Sequence, residues 1–100
     1  MAKFKPENYM IKIKGSDYLE VKYRTHWCRK ENPKWDINPT TELLDTKEGI
    51  AVARCEIHDE NGKRISAGEK MEYRKNFFDY LEKAHTGAIG RALSLAGYGT

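Results

Sequence analysis

One hundred residues, 33% of them charged and 39% apolar, give a chain of domain size with room for only a modest core. The formal net charge is +3, and no apolar run is long enough to cross a membrane as a helix. The start, Met1-Ala2-Lys3-Phe4-Lys5-Pro6, lacks the apolar stretch of a signal peptide, so one cytoplasmic domain over residues 1–100 is expected. Cys28 and Cys55 show no framework spacing and read as free thiols.

In chain order, Tyr9 to Lys14 alternates, with Ile11 and Ile13 on one face and Lys12 and Lys14 on the other, and predicts a strand. Gly15-Ser16-Asp17 reads as a turn. Residues 19–28 are ambiguous. Leu19, Val21, Tyr23, Thr25 and Trp27 alternate with polar residues as in a strand. As a helix, Val21, Arg24, Thr25 and Cys28 share a stripe, and Asn32-Pro33 makes the stop. Asp36 to Leu44 predicts a strand that Pro39 confines to an edge or a bulge. After a turn at 46–49, Gly49 to His58 predicts a strand with Ala51, Ala53, Cys55 and Ile57 on one face. Asp59-Glu60-Asn61-Gly62 makes a hairpin connection. Ile65, Ala67, Met71 and Tyr73 then predict the core face of a third strand, although Glu69 falls on that face too.

A long helix is expected from about Asn76 to Ala96. Alanine recurs at 84, 88, 92 and 96, a nearly straight stripe of small side chains. Gly87 and Gly90 sit inside this helix, each costing about 1 kcal/mol against alanine, which points to close approach or function. Arg91 stands among them with open space expected over Gly87, Gly90 and Ser94, and Gly97 is placed to cap the helix. The fold class is α+β: a β-hairpin and short helix, then a three-stranded antiparallel meander packed on one long C-terminal helix.

Charge is unevenly spread. Residues 1–35 hold nine Lys/Arg against four Asp/Glu, residues 36–62 hold two against seven, and residues 63–100 hold seven against four. The ends are basic and the middle acidic, a layout that suits a polyanion at the ends, though ordinary solvated faces give the same count. Catalytic signatures are weak. Cys55 and His58, or His26 and Cys28, lack metal-site partners at known spacings, so no metal is expected. Gly87-Ala88-Ile89-Gly90-Arg91 lacks the ending of a nucleotide-phosphate loop, and no carboxylate pair stands out, so neither a cofactor nor an enzyme is expected. Tyr9, Tyr18, Tyr23, Trp27 and Trp35 interleave with the N-terminal cations, as single-strand binding requires, although tryptophans of this kind are more often core.

Leu81-Glu82-Lys83-Ala84, Thr86-Gly87-Ala88-Ile89-Gly90-Arg91-Ala92-Leu93 and Gly97-Tyr98-Gly99 resemble the core helix of the single-strand DNA annealing protein superfamily, which includes eukaryotic recombination annealing proteins, the bacterial DNA damage response protein A and phage annealases. The resemblance runs from about Lys12 to Thr100. It implies a short strand at Tyr18-Leu19 followed by a helix to about Glu31. It also implies a homo-oligomeric ring or filament that binds single-stranded DNA and anneals complementary strands without ATP, in recombination and repair. On this reading Tyr18 packs on sugar or base, and Arg91 lies on the groove floor. Lys12, Lys14, Lys22 and Arg24 join Arg91 on the phosphates, because Gly90 and Ser94 stand where the eukaryotic branch has further basic residues. The rival expectations are a single-strand DNA or RNA protecting module that does not anneal, and an oligomeric protein-interaction module.

Overall fold

In the computed structural model, residues 3–99 are described. Met1 and Ala2 of the expected leaderless start, and Thr100 at the close of the resemblance, lie outside the described residues. A single 3-10 turn at Pro6–Asn8 leads into strands β1 (Ile11–Ile13) and β2 (Ser16–Tyr18), paired antiparallel with Ile13 opposite Ser16. The turn between them is Lys14-Gly15, one residue earlier than the sequence pattern suggested. Both residues have positive φ, 51° and 83°, the two-residue geometry that matches strand twist.

Helix α1 spans Val21–Glu31, so the ambiguous stretch is helical. Tertiary packing decides against the alternation: Arg24 and Cys28, on one helical stripe, are buried. The helix ends at Asn32, whose backbone and side-chain amides both donate to the Cys28 carbonyl.

Strands β3 (Asp36–Asp45), β4 (Ile50–His58) and β5 (Arg64–Tyr73) form an antiparallel meander with β4 in the centre. Pro39 sits on the β3 edge, and a register shift between Thr41 and Leu43 leaves Glu42 as the bulge. At the β3–β4 turn, Asp45 Oδ1 accepts from the backbone amides of Lys47 and Glu48. Helix α2 (Tyr80–Leu95) covers one face of the sheet. It starts four residues later than expected, because 74–79 form turns instead. At its other end Gly97, with φ 99°, donates to the Ser94 carbonyl, and Tyr98 donates to the Leu93 carbonyl at 2.8 Å, which together close a left-handed cap.

Ala84, Ala88 and Ala92 of α2 bury fully against Ala51, Ala53, Cys55 and Ile57 of β4. The expected core face of β5 is corrected. Ser66 and Gly68 face α2, while Ala67, Glu69, Met71 and Tyr73 line the opposite, outer face, and Ile65, at the register shift opposite Ile57 and His58, packs on the core as expected. Proximity is the reason. A Cβ on Gly68 would lie 2.6 Å from the Ala92 amide nitrogen and 2.8 Å from the Ala88 carbonyl oxygen, so no apolar side chain fits beneath the helix. Ser66 Oγ instead donates to the Ala92 carbonyl at 2.7 Å. Glu69, unexplained as a core residue, pairs with Arg54 on the outer face at 3.0 Å.

Candidate nucleic-acid interface

A groove of about 830 Å³ runs along α2, with Tyr18 on the hairpin side and β5 residues 67–69 on the other. Its floor is the exposed side of α2: Lys83, Thr86, Gly87, Gly90, Arg91, Ser94 and Leu95. Lys83, Gly87 and Arg91 are four apart and therefore share one face. Arg91 is exposed, and its Nη1 donates to the Glu69 carbonyl at 3.0 Å, which holds the guanidinium over the edge of β5.

Three of the six residues expected to contact DNA, Tyr18, Arg24 and Arg91, line this groove together. Arg24 is there as a structural member rather than a free cation. It is 6% exposed. Its Nε donates to the Tyr98 carbonyl at 2.8 Å, and its Nη2 donates to the Gly90 carbonyl and, at 2.6 Å, to Ser94 Oγ. Burial holds the guanidinium below its ordinary pKa, with Tyr18 opposing. The space expected over Gly87, Gly90 and Ser94 is the groove, but close beside the two glycines the chain itself leaves no room for a side chain. A Cβ on Gly90 would meet Val21 Cγ2 at 3.1 Å and Arg24 Nη1 at 3.3 Å, and one on Gly87 would meet the Lys70 stem at 2.6 Å. The two glycines therefore serve close approach of α1 and β5 to α2.

Lys12, Lys14 and Lys22 lie outside the groove. Lys12 pairs across the hairpin with Asp17 at 2.6 Å, Lys14 occupies the hairpin turn, and Lys22 Nζ stands 5.0 Å from the centre of the Tyr23 ring. The N-terminal aromatics stack on one another. Phe4 lies on Tyr9 at 5.1 Å, Tyr9 on Tyr23 at 4.6 Å, and Trp27 meets Tyr98 edge-on at 5.0 Å. Trp27 and Trp35 pack on the core, as tryptophans more often do.

Two sets of cations were missed. Lys83 shares the Arg91 face of α2, a relation visible in the spacing alone. On α1, Lys22, His26, Arg29 and Lys30 are all exposed and fall on one stripe. That stripe appears only once residues 21–31 are known to be helical. Beside it, Lys3, Lys5, His26 and Lys30 border a second hollow of about 360 Å³ that also takes in Phe4 and Tyr9.

Cys28 and Cys55 are free and fully buried. Burial pushes both thiols up, Cys55 to about 11, so neither is a thiolate nucleophile at neutral pH. Among the described residues no three His, Cys, Asp or Glu side chains are grouped to hold a metal ion, and no helix is long and apolar enough to cross a membrane.

From α1 through α2 the chain runs α–β–β–β–α, a small two-layer α+β module with cations on both helices. It belongs to the family described as Slr1353 N-terminal dsRNA-binding domain-like, whose model matches residues 25–96, from within α1 to just past α2. No curated protein and no solved structure gives a significant match. The resemblance to single-strand annealing proteins is corrected by this finding. The small-residue wording of residues 84–96 that carried it follows from the tight seating of α2 on the sheet and on α1.

Proposed function

We propose that this chain is a nucleic-acid-binding module whose ligand is double-stranded RNA, held through its backbone. The observation that carries the proposal is family membership over residues 25–96, from within α1 through α2, in a family described as dsRNA-binding domain-like. Duplex RNA is recognised mostly by shape and by phosphate and 2′-hydroxyl contacts across its wide minor groove. Such recognition calls for cations on rigid elements rather than exposed stacking rings. The exposed stripe Lys22–His26–Arg29–Lys30 on α1 and the Lys83–Arg91 face of α2 supply them. The N-terminal aromatics, engaged with one another, leave fewer faces for unpaired bases. Annealing rested on the resemblance alone and is no part of this proposal. The module is taken to act by binding rather than by catalysis, and in the cytoplasm.

Equilibrium binding to an RNA duplex, a DNA duplex of the same sequence and the separated strands tests it. The RNA duplex should bind most tightly, whatever its sequence, and affinity should fall linearly with salt on a log–log plot, by about 0.9 per phosphate contact if the B-DNA slope carries over. Replacing Arg29 and Lys30 by glutamine should weaken binding equally for all duplex sequences. Tighter binding to single strands than to either duplex would instead favour a single-strand-protecting module, with the groove beside Tyr18 as its site.

A further inference from the structure

Among the described residues, strands β1 and β2 lie against each other and against no other helix or strand. Each is three residues long, and an isolated hairpin of this size is marginal in water. One of its faces is apolar, with Ile11 43% and Ile13 47% exposed, and the other carries the Lys12–Asp17 pair.

A second unpartnered apolar surface lies on the outer face of the sheet, away from α2. The strand register aligns Leu43, Val52 and Met71 in one row and Asp45, Ile50 and Tyr73 in the next. Leu43 is 50% and Met71 47% exposed, and among the described residues no helix packs on this side. Three strands at a spacing of about 4.8 Å make a patch about 10 Å wide, the length of a three-residue strand.

We infer that the hairpin of one molecule docks on these rows in a second copy of the same chain. Charge selects this pairing over its alternatives. The hairpin carries Lys12 and Lys14 against Asp17, and the outer-face rows of the sheet carry Asp36, Asp45, Glu56 and Glu69 against Arg54 and Arg64. Sheet against sheet would bring two acidic segments together, and hairpin against hairpin two basic ones, whereas hairpin against sheet pairs opposite charges. The contact is therefore head-to-tail, between different patches, and it extends to further copies unless the rotation closes a ring. It is small, so the association is weak and concentration-dependent. This inference does not depend on the nucleic-acid reading, since neither patch contains the cations assigned to it.

The test is the mass of the full chain in solution, without nucleic acid, over a wide concentration range. Wild-type mass should rise above that of a monomer with concentration and fall back as salt is added. A chain with Ile11→Ser and Ile13→Ser should stay monomeric, as should one with Leu43→Ser and Met71→Ser. Mixed in equal amounts, the two variants should form a one-to-one heterodimer, because each retains the patch the other has lost. A wild-type chain that stays monomeric throughout would overturn the inference. So would a hairpin variant that associates as wild type does, which would mean that sheet meets sheet. Ile11 and Ile13 are half exposed and outside the buried core, so that arm of the test survives even if the sheet variant fails to fold.

Discussion

The seam between α2 and the sheet and the N-terminal hairpin treat side chains in opposite ways. At the seam the helix sits so low over β5 that a single added carbon at Gly68 meets backbone atoms. Serine and glycine face inward there, while alanine, methionine and tyrosine face out. At the hairpin two isoleucines stand half in water, on strands that no other described helix or strand lies against. The lesson is that distance to the covering element, more than hydropathy, decides which residues a strand turns inward. Close contact at the seam fixes the fold, and the uncovered hairpin leaves surface for another molecule.

The sharpest way to break this contrast is Gly68→Val. The obstructing atoms are the Ala92 amide, the Ala88 carbonyl and Arg91 Cβ, and the two backbone atoms cannot swing aside. A loss of about 4 kcal/mol is expected, at the upper end for overpacking, read as a lower denaturant midpoint with circular dichroism. A change below about 1 kcal/mol would mean that the helix can lift off the sheet, and the argument from proximity would fail.

Arg24→Met comes next. It removes donors to the Tyr98 and Gly90 carbonyls and to Ser94 Oγ while keeping much of the side-chain volume. A loss of about 3 kcal/mol is expected, since buried acceptors are left unsatisfied. Binding to RNA by the folded protein should hardly change. A large loss of affinity with unchanged stability would return Arg24 to the role of a phosphate contact.

A smaller effect concerns pH. The Cys55 thiol titrates near 9 when unfolded and is pushed up to about 11 by burial. The neutral form is the one the fold accepts, so this contribution is constant below pH 9 and is lost as pH rises from 9 toward 11. The slope is at most about 1.4 kcal/mol per pH unit. Cys55→Ala should lower stability at pH 8 and flatten its fall at alkaline pH, as followed by chemical denaturation at several pH values.

The smallest change is expected at the hairpin. Ile13→Ser should alter monomer stability by less than about 0.5 kcal/mol, because the side chain is half exposed and β1 lies against no described helix or strand other than β2. A loss above about 1 kcal/mol would show that the hairpin is part of the core after all, and the two regions would no longer differ in kind.

Much of this architecture was legible beforehand. The alternation in β4, the turn residues at 46–49 and 59–62, Pro39 on an edge strand and the Gly97 cap each carry a local physical cause that needs no knowledge of the rest of the chain. The face of β5 did not. Reading Ala67, Met71 and Tyr73 as core along with Ile65 assumes that apolar side chains find cover, and only the height of α2 above Gly68 shows that these three do not. Helix α1 was ambiguous for a related reason, since its stripe is defined by what buries Arg24 and Cys28. In the groove, spacing was enough to place Arg91 with Lys83. It could not show that Gly90 and Ser94 were already occupied by Arg24, a residue at least 66 positions away in sequence from both.

That separation has a consequence for the order in which the molecule is made. A chain emerging from the ribosome presents α1 long before Gly90, Ser94 and Tyr98, the three residues whose oxygens receive its arginine. Until those residues arrive, seating α1 would bury a cation without acceptors, which is strongly disfavoured. The native seating of α1, with its arginine paired, therefore requires the capped end of α2 to be in place.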